Sequence, residues 1–218
     1  PLTPGIHGAI SRFTAYVSGT KVEYIMHYGR TTEQFLRMMP FDVRANMAAQ
    51  SGFSMSSGTS QGNDWVINSV GHAADNKTLR FTHKPILSGL CNCGKYLPCQ
   101  FLGAGGLVLE FELGGATDWI STAANTSAAW HISDVRVQAS VININSQLME
   151  AYSAHVLSGK SLLIPYKTFT CTSSALPDSS EFDVSIARPF TRLCTLFETS
   201  TNTGDSTKKG GPFFLQPS

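Results

Sequence analysis

Gly106-Leu107-Val108-Leu109-Glu110-Phe111-Glu112-Leu113 decides the fold class. Successive side chains of an extended chain point to opposite faces, so Leu107, Leu109, Phe111 and Leu113 share one side while Val108, Glu110 and Glu112 share the other. One side is built for a core. The charged side suits water, which is the pattern of an antiparallel sheet and not of a parallel sheet covered on both faces.

Working outward, the same period recurs. Lys21 to Tyr28 places Val22, Tyr24, Met26 and Tyr28 on one face, and Gly29 ends that strand. Trp65 to Val70 and Thr78 to His83 read as hairpin partners joined by a polar segment containing Asp75-Asn76-Lys77. Ile132 to about Ile144 reads as one long strand with Val135, Val137, Ala139 and Val141 on a common face. Its length exceeds the usual ~5–6 residues and favours a sandwich or barrel. Ser161 to Thr170 is a further strand that Pro165 confines to an edge or bulge, because proline has no donor for the ladder. Glu181 to Ala187 alternates through Phe182, Val184 and Ile186, and Phe190 to Glu198 adds one more strand.

Helical signals are fewer. Phe35, Leu36 and Met39 predict a brief helix over Thr31 to Met39, stopped by Pro40. The convincing helix lies near 146–158: Asn145 or Ser146 can cap it, Leu148, Met149, Tyr152 and Val156 follow at helical spacing, and Gly159 ends it. The expectation is an all-β protein, an antiparallel sandwich with one short helix. Residues 48–63 and 199–211 read as loops. The small, polar stretch from Ser121 marks a linker over 121–131, which divides the chain into a first portion, 1–120, and a second, 132–218.

Composition bounds the function. The 218 residues carry 16 Lys plus Arg against 15 Asp plus Glu, a net charge of +1, with 42% hydrophobic and 14% charged content. That balance fits a folded domain and offers no basic stripe able to neutralise several phosphates. Arg12, Lys21, Arg37 and Arg44 are dispersed, and Phe13 and Phe41 make no stacking platform, so no specific nucleic-acid partner is expected. No run approaches the ~20 apolar residues of a membrane-spanning helix. The start at Pro1, without Met, suggests a processed product or a piece of a longer chain. Five cysteines, Cys91, Cys93, Cys99, Cys171 and Cys194, cannot all pair with one another, which points to reduced thiols and manufacture in the cytosol or nucleus. The glycan-type triplets at Asn76 and Asn125 would matter only in a secreted chain.

Motifs that could carry chemistry fail on context. Ala154 to Ser161 fits a permissive phosphate-loop pattern, but a phosphate loop follows a strand and opens a helix, whereas here a helix precedes and a strand follows. Gly159 is better read as a left-handed helix cap. Cys91, Cys93 and Cys99 with His83 lack the paired spacing of a zinc site, so no metal is assigned. The six histidines, His7, His27, His72, His83, His131 and His155, form no ligand pair at helical spacing. Gly103 to Gly106 precedes a strand, the reverse of a dinucleotide fingerprint, and reads as a flexible turn. Ser54 and Ser56 near Gly52 lack a nucleophile elbow. No catalytic residue or cofactor is assigned.

Two stretches carry a family resemblance. Phe81-Thr82-His83-Lys84-Pro85-Ile86-Leu87-Ser88-Gly89-Leu90, Lys95-Tyr96-Leu97-Pro98 and the strand 106–113 form the first. Trp130-His131-Ile132-Ser133-Asp134-Val135-Arg136-Val137, the helix and edge from Leu148 to Pro165, and Phe213-Phe214-Leu215-Gln216-Pro217 form the second. In their order these resemble double jelly-roll major capsid proteins of DNA viruses, of the polinton-like virus and virophage type. The resemblance implies a jelly-roll sandwich that is part of a double jelly roll, and a structural virion protein that builds an icosahedral shell without catalysis. It further implies a homotrimeric capsomer, contact with other capsid proteins, and assembly in the host cytoplasm or nucleus. A complete second barrel needs more residues than follow position 130, so the chain is a fragment or another chain finishes that sandwich. The cysteine cluster and the Gly103–Gly106 turn depart from the family pattern.

The competing expectation is a β-sandwich carbohydrate-binding or glycosidase-like domain. Glu110 and Glu112 would stand about 7 Å apart on one strand face, a spacing that paired acid and base carboxylates can use. Trp65 or Trp119 would line the sugar cleft.

Overall fold

Ser18 and Gly19 both occupy the left-handed region, at φ 52° and 78°. A two-residue turn of that kind matches the twist of the strands that it joins. The computed structural model, which describes residues 5–40, 42, 43, 47, 81–115, 131–175, 181–186, 189 and 191–198, places β1 (Ile10–Val17) and β2 (Thr20–Met26) on either side of this turn. A third strand, β3 (Leu107–Leu113), pairs with β1 from the other side, so the antiparallel sheet runs β2-β1-β3. Helix α1 (Tyr28–Met38) follows β2 directly, and helix α2 (Ser146–Leu157) lies far along the chain.

The central strand β1 was not expected from the sequence. Phe13, Thr14 and Ala15 are all buried, so its two faces carry no polar and apolar contrast from which a period could be read. In register, Phe13 stands between Ile25 and Phe111, and Ala15 between Glu23 and Leu109. The pairing passes from Ala15↔Glu23 to Tyr16↔Lys21, which leaves Val22 as the extra residue of a β-bulge.

The core lies on the face that carries Phe13, Ala15 and Ile25. Tyr28 from α1 and Leu87 and Leu90 from a turn after residue 81 pack onto it, with Leu107, Leu109 and Phe169 at its rim. Leu107 and Leu109 therefore point as the sequence predicts, with Glu110 and Glu112 on the exposed side. In β2 the expectation inverts: Glu23 and Ile25 point inward, and Tyr24 and Met26 lie on the opposite, more accessible face. Tyr28 is no part of that strand. It opens α1, three residues ahead of the predicted helix start, after His27 turns the chain at φ 50°.

Gly29 permits this tight entry. A Cβ there would meet the backbone oxygen of His7 at 2.5 Å and that of Ile10 at 3.0 Å. At the other end Met39 leaves the helix in an extended conformation, as the residue before a proline prefers.

Helix α2 forms where expected. The Asn145 side chain accepts from the Leu148 N–H at 2.9 Å. Gly159, at φ 78°, closes the helix with paired bonds from its own N–H to Val156 O and from Lys160 N–H to His155 O. This is the Schellman arrangement.

Four expected strands need correction. Among the described residues, 132–144 and 161–170, with those of 181–187 and 190–198, are joined to no partner strand. Alternation supplies a face but not a partner, and a strand exists only when its backbone groups find a neighbour's. Of the expected strand Thr78–His83, residues 81–83 are described and form no strand, while 78–80, the expected strand Trp65–Val70, both loops and the linker but for residue 131 fall outside the described residues.

Candidate functional site

The apolar side of β3 forms one wall of a wide concavity of about 2720 Å³. Leu109, Phe111 and Leu113 line that wall, and residues of the segment 131–144 and Tyr152 of α2 line the same concavity. Small-molecule pockets are typically ~300–1,000 Å³, so the space suits a piece of polypeptide better than a compact ligand. Apolar residues of that segment are largely exposed: Val135, Val137 and Val141 are 79%, 85% and 82% exposed.

Glu110 and Glu112 lie on the other face of β3. Arg12 of β1, which pairs in register with Glu112, forms ion pairs with Glu112 and, at 3.7 Å, with Glu110. Its guanidinium also sits 5.6 Å from the centre of the Tyr24 ring. The hydrogen bond to Tyr24, and after it the charges of Glu112 and Glu110, raise the Arg12 pKa above its ordinary value. The two carboxylates thus flank a cation on the half-exposed side of the sheet, and neither lines the concavity. Trp65 and Trp119 lie outside the described residues.

The deepest carboxylate among the described residues is one that sequence reasoning missed. Glu23, 2% exposed, accepts from the Ser88 hydroxyl at 2.5 Å and from the N–H groups of Gly89 and Leu90 at 2.8 and 3.3 Å. Ser88 Oγ in turn accepts from Cys91 N–H at 3.1 Å. A buried charge is tolerated only when so surrounded. The turn 87–91 is fixed on its far side too, since a Cβ on Gly89 would fall 1.7 Å from Lys167 O, and Tyr166 donates to Val22 O at 3.2 Å. No local pattern flags Glu23, because its partners are 65 to 67 positions away.

A second buried polar cluster joins the N-terminal 3₁₀ turn, Ile6–Ala9, to α1 and to residue 83. His7 Nε2 lies 2.9 Å from Glu33 Oε2, Tyr28 Oη lies 2.9 Å from His83 Nε2, and the two imidazole rings are 6.5 Å apart. Burial, and then the charge of His7, lowers the His83 pKa to about 4, while burial raises that of the Tyr28 phenol.

The cysteines do not gather. All five are free thiols, His83 is engaged with Tyr28, and among the described residues no group of three or more His, Cys, Asp or Glu is arranged as a metal shell. The Ala154–Ser161 stretch occupies the C-terminal end of α2, where backbone carbonyls and not N–H groups are presented. Gly103–Gly106, expected to be flexible, is fastened: Ser18 N–H donates to Gly106 O at 2.9 Å, and Gly105 is packed against the Ser18–Gly19 turn. Among the described residues no helix is long and apolar enough to cross a membrane.

No family model, curated protein or solved structure matches the chain.

Proposed function

We propose that this chain is a structural virion protein that assembles, by way of homotrimeric capsomers and with other capsid proteins, into an icosahedral shell, and that it carries out no catalysis. In this reading it is a jelly-roll protein, part of a double jelly roll, made and assembled in the host cytoplasm or nucleus. The observation that carries the reading is the exposed row Val135, Val137 and Val141, 79–85% exposed on a segment with no strand partner among the described residues. A solitary protein rarely leaves such a row in water, whereas a shell protein covers its apolar surface with neighbouring copies. The antiparallel sheet and the concavity beside β3 support it further, since both offer strand-shaped surfaces to a neighbour. The quoted similarity of residues 81–113 and 130–165 to capsid sequences supplies the kind of assembly.

Light scattering on the purified chain, with electron microscopy of the same sample, tests the proposal. Trimers or closed shells are expected. A monodisperse monomer at high concentration overturns it.

A further inference from the structure

We propose that residues 135–141 of one copy add as a strand to the outer edge of β3 in a second copy, antiparallel and in the register that sets Val137 against Phe111 and Arg136 against Glu112. The inference rests on the shell assembly proposed above and names the contact that closes it.

The acceptor is a sheet edge. β1 is bonded on both sides, whereas β3 has β1 as its one strand neighbour among the described residues. Its backbone therefore offers a row of N–H and C=O groups along the other side, a template for a further strand. Phe111 packs on Phe13, with 5.1 Å between ring centres, yet it remains 40% exposed and Leu113 46%.

The donor carries the matching pattern. From 135 to 141 the chain reads Val-Arg-Val-Gln-Ala-Ser-Val, as long as β3 itself, and every one of these residues is exposed. Laid antiparallel with Val135 at Leu113 and Val141 at Leu107, its apolar residues fall beside those of β3 and its polar residues beside Glu110 and Glu112. An aromatic opposite a β-branched residue, and opposite charges across the strands, are favourable pairs.

Charge selects the register. Glu110 and Glu112 share the guanidinium of Arg12, and Arg136, exposed and bonded at 2.9 Å to Asp134, brings a second cation to them. A slide of two residues one way sets Asp134 against Glu112, a like-charge pair, and the other way carries Arg136 past Glu112 to Gly114. A slide of one residue turns the valines to the carboxylate face.

Within one chain, residues of 131–144 line the same concavity as β3, but among the described residues the two share no ladder. A second copy can supply the strand that the first does not. Donor and acceptor are different surfaces, so such contacts run head to tail, and a ring of three closes them as a homotrimeric capsomer requires.

Disulfide mapping on the full chain tests this. Phe111→Cys and Val137→Cys chains, produced together, can join position 111 to position 137 only between copies, and directly paired strand residues lie within disulfide reach. Expected after oxidation and proteolysis is a linked 111–137 peptide, told apart by mass spectrometry from links of the five native cysteines. No 111–138 peptide should form when Gln138→Cys replaces Val137→Cys, since that side chain falls on the other face. Absence of the 111–137 peptide from a sample that light scattering shows to be trimers or shells overturns this inference and leaves the assembly standing, whereas a monomer overturns both. In a chain carrying both Phe111→Cys and Val137→Cys, a 111–137 link inside a monomer puts the chain's own segment on β3 and also overturns it. Should the cysteine variants not fold, hydrogen exchange of the wild-type assembly decides: joint protection of 135–141 and of the outer-edge amides of β3 supports the pairing, and free exchange over either overturns it.

Discussion

The Glu23 carboxylate and the Ser88 hydroxyl, 65 positions apart in the chain, are joined at 2.5 Å inside the protein. That bond, with the two N–H groups beside it, ties the sheet to the turn that carries Leu87 and Leu90 into the core. Glu23→Ala leaves the hydroxyl and two N–H groups without their acceptor. It should cost about 3 kcal/mol, and Glu23→Gln, which keeps one acceptor oxygen, about half as much. Urea unfolding monitored by tryptophan fluorescence measures both, and equal small losses would show that the cradle contributes little.

Gly89 and Gly29 are tolerated only without side chains. Gly89→Ala and Gly29→Ala each force a backbone displacement against Lys167 O or His7 O and should destabilise by about 1–3 kcal/mol. In Gly89→Ala the Tyr166 bond to Val22 O should loosen as well, which hydrogen exchange over residues 160–170 would register.

Arg12, Glu110 and Glu112 form a half-exposed ion cluster. Glu110→Gln and Glu112→Gln should each change stability by less than about 1 kcal/mol, and by less still in high salt. Thermal melts at low and high ionic strength measure this. Saccharide-dependent protection of either side chain would revive the carbohydrate reading.

If the row Val135, Val137, Val141 is an assembly surface, its substitution should separate folding from association. Val137→Asp, at a position 85% exposed, should alter the stability of the chain by no more than about 0.5 kcal/mol while reducing the assembled fraction in light scattering. A large loss of stability with unchanged assembly would place the segment in the chain's own core.

Thiol labelling should divide the cysteines. Cys171 lies 3.4 Å from Thr31 Oγ1, and burial raises its pKa; burial likewise raises the Cys91 thiol. Cys171 should react with a disulfide reagent near neutral pH more slowly than the exposed Cys99 and Cys194, since the thiolate is the reacting form, and Cys91, exposed as they are but with a raised pKa, should fall between.

By itself the amino-acid sequence determined those elements whose causes are local. The alternation at 107–113 orients β3 wherever the strand docks, Asn145 and Gly159 delimit α2 through hydrogen bonds within a few residues, and Pro40 ends the helix before it by its own ring. Tertiary structure decided everything that depends on a distant partner. It made Ile10–Val17 the central strand, because burial on both faces erases the period that would announce it. It turned Glu23 inward, because three donors from residues 88–90 replace the water that a carboxylate loses on burial, and it brought His83 to Tyr28 across 55 positions. It also left 132–144 without a partner strand among the described residues, since side-chain alternation marks a face and only a neighbouring backbone completes a sheet.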